Sequence, residues 1–427
     1  MKRIRNLIFE NQLLSGSLVV IVGSTLVNFG SYIYHLLMGR MLGPINYGAL
    51  NSLIAIFYLL AIPSMALIAV IVKFTTVYKA QNDYEKLYSL FRSLSEKFFL
   101  LGITVFLFFI FARDIIANFL QIGEAGAVAL VGSFFFLSLL STVNNGILQG
   151  LLNFKFYSAN NVFSSVLKVG FGILLVKLGF SVNGAILAIL ISYVLPYFTS
   201  LYPLRFLWRY KQEMIKIDWR EIFSYAGPVI VATLGITSLY STDVILVKHF
   251  FPAFEAGLYA ALSVVGKIIF FASGTIGIVM FPIISERFEK GSHYRSILYQ
   301  ALTLVVLSSS LLTIIYFLWP ELMMRLLYGS AYLMGAPYLG PFAIFISIFS
   351  LSSLMVQFFL STRQTRVALL ALGAAILQGI LIWLFHNDLS QVIYSSIATT
   401  SLLLFSLLVY YFVADRKDLQ LLKEKRE

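Results

Sequence analysis

Residues 39–50 read GRMLGPINYGAL, and this stretch decides the architecture. A Gly-Pro pair makes a short turn between two long apolar runs, and an arginine marks its edge. A looser version, KHFFPAFEAGLYAA, returns at residues 248–261. Again a basic residue closes an apolar run, a proline makes the turn and Gly-x-Tyr opens the next run. A shift of 209 residues puts Gly48 on Gly257 and Arg40 on His249, with Leu37, Leu53, Ser64 and Val70 also identical to their counterparts.

The runs on either side fix the class. Of 427 residues 59% are hydrophobic and 12% charged, and the mean hydropathy is +0.89. Soluble domains carry roughly 25% charged residues. Many runs exceed the ~18 apolar residues that cross a bilayer as a helix. The chain reads as a polytopic membrane protein with little outside the lipid. The run from Leu13 lacks a small-residue cleavage site and reads as a retained span. Cysteine is absent, which excludes disulfides and thiol chemistry. The net charge of +12 would suggest nucleic acid in a soluble protein; here its distribution speaks of topology.

Hydropathy predicts twelve spans, at roughly 14–39, 46–72, 97–118, 127–150, 157–178, 182–206, 222–248, 257–284, 297–319, 338–361, 366–385 and 390–413. With a cytoplasmic N-terminus, 24 of the 31 Lys and Arg fall on the inside and 5 on the outside. Lys168 and Lys267 lie within spans. The positive-inside rule therefore predicts a multi-pass protein of the inner cell membrane with both termini cytoplasmic. Residues 73–97 carry Tyr84, Leu87, Leu90, Phe91 and Leu94 at helical spacing and read as an amphipathic helix on the inner leaflet. The outside loops are short.

Polar stripes repeat. Ser24, Asn28, Ser31 and His35 share one helix face, and at the 209 offset they become Thr233, Thr237, Tyr240 and Val244. At an offset of 212, Ser138, Ser141, Asn145 and Gln149 become Ser350, Ser353, Gln357 and Ser361. The reading is an all-α membrane fold of two six-helix bundles, residues 1–212 and 213–427 with a cytoplasmic tail. An even span count relates them by a pseudo-two-fold along the membrane normal, with a site between them near the midplane. Small and hydroxyl residues also serve plain helix packing. Asn28, Asn145, Gln149 and Gln357 cost more to bury and read as lining a water-filled cavity.

Lys168 and Lys267 each sit about ten residues into a span, near the midplane at 1.5 Å per residue. A lysine there costs on the order of 3 kcal/mol unless paired or hydrated. Each is either a structural lysine or a contact for an anionic ligand. Asp243 is the clearest intramembrane acid, either an ion or proton site or a partner of Lys248. Arg40 reads by default as an interface anchor. The histidines, His35, His249, His293 and His386, are scattered. With no phosphate-cradling loop and no metal or hydrolytic constellation, the sequence gives no cofactor, no enzyme and no ATP-driven pump.

The turn RMLGPINYG resembles the start of polysaccharide transporters, the oligosaccharide flippases of the multidrug/oligosaccharidyl-lipid/polysaccharide exporter superfamily. LQGLLNFKFYSANN, KLGFSVNGA, Asp243, AGLYAALSVVGK, MFPIISE and LLYGSAYLMGAPYLGPFA follow in the same order over nearly the whole chain. The resemblance implies two six-helix bundles forming a V around a cavity, as in multidrug exporters, and alternating access. It implies movement of a polyprenyl-pyrophosphate-linked oligosaccharide to the outer leaflet for surface polysaccharide synthesis. Its expected partners are that lipid-linked oligosaccharide, membrane lipids, a polysaccharide polymerase and glycosyltransferases, with no nucleic acid. Lys168 and Lys267 are the candidates to meet pyrophosphate or acidic sugars, and Arg40 stands at the matching turn. Lipid II flippases of the superfamily carry two further spans and several first-helix arginines, which this chain lacks. The alternatives are a multidrug cation antiporter, which wants acids deep in the N-terminal half, and a glycan polymerase or ligase, which wants a large outer loop.

Overall fold

The computed structural model describes residues 12–123, 125–210, 219–290, 292 and 294–424. Every regular element among them is helical. In lipid the backbone must satisfy its own polar groups, and a helix does so within one segment. The chain divides into two compact units, Met1–Ala226 and Gly227–Glu427.

The first unit contains α1 (Gln12–Leu60), α2 (Ile62–Ala80), α3 (Tyr84–Phe111), α4 (Arg113–Phe119), α5 (Ala125–Gly150), α6 (Phe154–Lys177) and α7 (Ser181–Leu204). The expected Gly-Pro turn is a kink inside α1, where two helical segments meet. Only Gly43 leaves helical geometry, at φ 69° and ψ 173°. That combination suits glycine, and Pro44, which lacks an N–H, starts the next helical turn. The 42 residues from Val19 to Leu60 extend ~63 Å if straight, about twice a bilayer core. The kink at Gly43 is what folds such a length into a membrane.

The segment expected as a surface helix at 73–97 is not one element. It is the end of α2, a tight turn and the start of α3. Asn82 takes a positive φ of 55°, and Asp83 then caps α3 by accepting from the Lys86 amide at 3.0 Å. Leu87, Leu90, Phe91 and Leu94 are buried in the unit rather than laid on a surface. Tyr84 stacks on Tyr210 at 5.3 Å, and Phe91 meets Trp208 edge-on, where α7 ends in a 3-10 turn (Arg205–Arg209). The apolar periodicity was real; its partner is protein.

Helix α8 (Trp219–Leu239) crosses the boundary between the units, and the second unit continues with α9 (Thr242–Phe250), α10 (Ala253–Glu289), α11 (Arg295–Leu318), α12 (Pro320–Leu327), α13 (Ala336–Ser361), α14 (Val367–Leu384) and α15 (Leu389–Glu424). The single span expected at 222–248 is broken at Tyr240 and Ser241 and bends by 41° between α8 and α9. Central α13 is buried along most of its length, as its apolar composition requires.

Ten described helices are long and apolar enough to cross a membrane, or eleven if the bent pair is one span. Of the twelve expected from hydropathy, the first lies within α1 and the second joins the end of α1 to the start of α2. Outward faces are apolar, with Phe111 81% and Ile278 72% exposed, as lipid-facing surfaces are. This is a multi-pass membrane protein.

Candidate functional site

In the first unit, α1 and α6 approach through glycine. A side chain at Gly23 would strike Ser158, and one at Gly30 would strike Ser165, seven residues further along each helix. Small residues at such spacing let membrane helices meet closely. The contact brings Lys168 of α6 against α1. Its ammonium donates to Ser31 Oγ at 2.8 Å and lies 5.4 Å from the Tyr34 ring centre. The Tyr34 hydroxyl donates to the Ala185 carbonyl at 2.8 Å, which holds the ring in place.

Lys168 borders a cavity of about 250 Å³. Its polar wall is Ser31, His35, Asn161, Ser164 and Ser192; its aromatic wall includes Phe57, Tyr58, Phe134 and Tyr193. Phe134 and Tyr193 are near-parallel, 8° apart with centres at 6.4 Å. His35 Nδ1 lies 3.1 Å from the Tyr47 hydroxyl. No carboxylate is among the described lining residues. A half-buried ammonium with only neutral partners has no counter-charge to compete with a ligand, and walls of low polarity strengthen its field.

The second unit places its lysine differently. Lys267 of α10 is 7% exposed, and its ammonium lies 5.0 Å from the Tyr240 ring centre. Asp243 is fully buried in the first turn of α9, and its charge and that of Lys267 act on each other. The Val244 amide donates to Asp243 Oδ1 and the Tyr259 hydroxyl to Oδ2, each at 2.8 Å. The positive end of a helix dipole adds to this support. A second polar cluster ties the unit together: Gln378 Nε2 donates to Ser396 Oγ at 2.9 Å and to the Leu239 carbonyl at 3.1 Å. That carbonyl closes α8, so Gln378 satisfies a group that the break exposes. Lys248 is buried at the other end of α9.

The remaining sequence candidates are spread out. Asn28 and Arg40 are exposed on α1. Asn145 and Gln149 are half-buried on α5, and Asn145 makes no side-chain hydrogen bond to the described protein. Gln357 sits on α13 against Gly277, with Nε2 3.5 Å from Ser353 Oγ. Several stripe residues bond back to their own helix, as Ser138 does to the Phe135 carbonyl and Ser350 to the Ile346 carbonyl. His35, Asn161, Ser164 and Tyr193 join the Lys168 cavity without having been singled out as ligand contacts; His35 closes the stripe that contains Ser31, and Asn161 and Ser164 share the helix face of Lys168. His293 lies outside the described residues. Among those residues no group of three His, Asp or Glu side chains is placed to hold a metal.

A profile described as polysaccharide biosynthesis protein matches residues 37–337. Solved structures share the fold. An inward-facing multidrug resistance MATE family transporter of the MOP superfamily is 14% identical, over 93% of this chain and 99% of that one, with TM-score 0.73. The lipid II flippase MurJ, in an inward closed conformation, is 13% identical over 92% and 87%, with TM-score 0.70. The eukaryotic MATE transporter AtDTX14 is 14% identical over 93% and 96%, with TM-score 0.65. At such identities the likeness is one of fold. No curated protein sequence matches the chain.

Proposed function

Because this chain belongs to the polysaccharide biosynthesis protein family, we propose that it is a flippase that moves a polyprenyl-pyrophosphate-linked oligosaccharide from the cytoplasmic to the outer leaflet by alternating access. The cargo feeds surface polysaccharide synthesis, and both termini lie in the cytoplasm. The observation that carries the reading is the Lys168 ammonium, held by Ser31 and the Tyr34 face alone at the edge of a cavity free of lining carboxylates. Such a group lowers the cost of bringing a phosphate into the membrane interior. Lys267 has Asp243 for company and is assigned to holding the second unit together.

The energetics suit transport without ATP. With a negative interior, outward movement of an anion is favoured by ~2.3 kcal/mol per charge per 100 mV. The lipid tail stays in the bilayer while the headgroup crosses. A multidrug cation antiporter shares the fold, but a cation would meet a lysine in this cavity and no lining acid.

The test is transport of a labelled polyprenyl-pyrophosphate oligosaccharide in proteoliposomes under an inside-negative potential. Flipping by the wild type that is lost in Lys168→Ala, with the variant folded, supports the reading. Exchange of organic cations for protons, without glycolipid flipping, overturns it.

A further inference from the structure

We propose that the first unit holds a second, uncharged subsite beside the Lys168 cavity, which reads hydroxyl groups of the sugar that carries the phosphate. This rests on the assignment of the Lys168 cavity as the anion site. The subsite is a smaller cavity of about 30 Å³ between α5, α6 and α7, bounded in part by Asn161, Ser164, Ser192 and Tyr193, which also bound the larger one. A ligand in the larger cavity therefore touches the same walls.

Proline shapes this place. Pro196 lacks an N–H, so the Ser192 carbonyl loses its helical donor. Ser164 Oγ donates to that carbonyl instead, at 2.5 Å. Asn160 Nδ2 donates to the Pro196 carbonyl at 3.0 Å, and Thr199 Oγ1 donates to Asn160 Oδ1 at 2.6 Å. Asn160 is thus fully committed to the helix contact.

Other groups at the same cavity are not. Asn145 has no side-chain hydrogen bond to the described protein. Ser141 Oγ is buried without a partner. Asn161 uses Nδ2 on the Tyr157 carbonyl at 2.8 Å and keeps Oδ1 unspent. Polar groups left in a membrane interior are costly unless something meets them. The spare set contains donors and acceptors and no charge. A hydroxyl both donates and accepts, so the set matches a sugar, whereas a phosphate offers mainly acceptors. The volume admits a hydroxyl or hydroxymethyl group, about one or two water-sized bodies. The ring face of Tyr193, stacked on Phe134, gives the apolar side of a sugar something to lie against.

The experiment measures binding to purified protein in detergent by calorimetry. The probes are methyl phosphate and the 1-phosphates of glucose, galactose and N-acetylglucosamine. The proposal expects at least one sugar phosphate to bind about tenfold more tightly than methyl phosphate, as one or two added hydrogen bonds supply. Asn145→Ala with Ser141→Ala should erase that preference and leave methyl phosphate binding unchanged. Neither substitution removes a protein hydrogen bond, so the thermal midpoint should hold. If all four probes bind alike and lose binding in Lys168→Ala, the subsite is overturned and the anion site stands. A preference that survives the double substitution also overturns the subsite. If no probe binds the wild type, both assignments fall.

Discussion

Replacement of Lys168 by methionine should weaken cargo binding and spare the fold. In the empty protein the ammonium has one neutral hydrogen bond, to Ser31 Oγ, and one aromatic face. Deleting it forfeits about 1 kcal/mol of hydrogen bond and a similar cation–π term. It also releases the cost of holding a half-desolvated charge without a counter-ion, which is of the same order or larger. The net change in stability is within about 1 kcal/mol, a shift of a few degrees at most for a unit of this size. For cargo the arithmetic differs. A charge-assisted hydrogen bond to phosphate contributes about 1.5–3 kcal/mol, or roughly ten- to hundredfold in affinity. Initial flipping rates at subsaturating cargo should fall by that factor, and the thermal midpoint in detergent should stay in place. A variant that flips normally, or one that unfolds many degrees early, would refute the argument that this lysine serves a ligand.

Lys267→Met should behave in the opposite way, losing on the order of 2 kcal/mol of stability because buried Asp243 loses the attraction of a nearby cation. Addition of Asp243→Asn should restore much of the loss, as thermal unfolding of the single and double variants would reveal. Gly43→Ala should strain the α1 kink, where φ is 69°, and lower stability by about 1–2 kcal/mol, read as a lower thermal midpoint. The turn before α3 should depend on acid pH. Hydrogen bonds from the Lys86 side chain and backbone hold the Asp83 carboxyl below its ordinary value of 3.8. The contribution of this cap is complete above that value and is lost as pH falls through the lower, folded one. Amide exchange at Lys86 and Leu87 should therefore speed up only in strong acid, and Asp83→Ala should make it fast at neutral pH.

The sequence disclosed the spans and the two intramembrane lysines, because hydropathy and charge are properties of composition along the chain. It could not say which lysine carries a partner. Lys168 and Lys267 sit at equal depth on similar faces, and their difference lies in residues more than a hundred positions away or on another helix. The break at Tyr240 and Ser241 was also hidden. Neither residue is glycine or proline, and the exposed Leu239 carbonyl is satisfied by Gln378, far along the chain. Asn160 and Asn161 are neighbours in sequence, and only Asn161 shares the helix face of Lys168. The position of Pro196 on α7 separates the amide that ties helices together from the one with an oxygen to spare.

One correspondence joins the two units. At the 209 offset, Ser31 and Tyr34 become Tyr240 and Asp243. Ser31 and Tyr34 meet Lys168 in the first unit; in the second, Lys267 lies over the Tyr240 ring and feels the charge of Asp243 without a direct ion pair. The lysines come from non-equivalent helices, α6 and α10, so the shared element is the pair of positions on the first helix of each unit. Position 34 against position 243 then decides the chemistry. Tyrosine gives the lysine no counter-charge; aspartate places one near a lysine that is the more deeply buried. Tyr34→Asp should accordingly turn the first site into a copy of the second. An acid three residues from Ser31 can reach the Lys168 ammonium, and its attraction at an effective dielectric of 20 and ~4 Å is about 4 kcal/mol, enough to compete with a phosphate for the same charge. Methyl phosphate binding should drop as far as in Lys168→Met. Tyr34→Phe, which loses only the hydroxyl bond to the Ala185 carbonyl, should retain it. Equal binding by Tyr34→Asp and the wild type would mean that the cavity does not owe its anion affinity to an unneutralised Lys168.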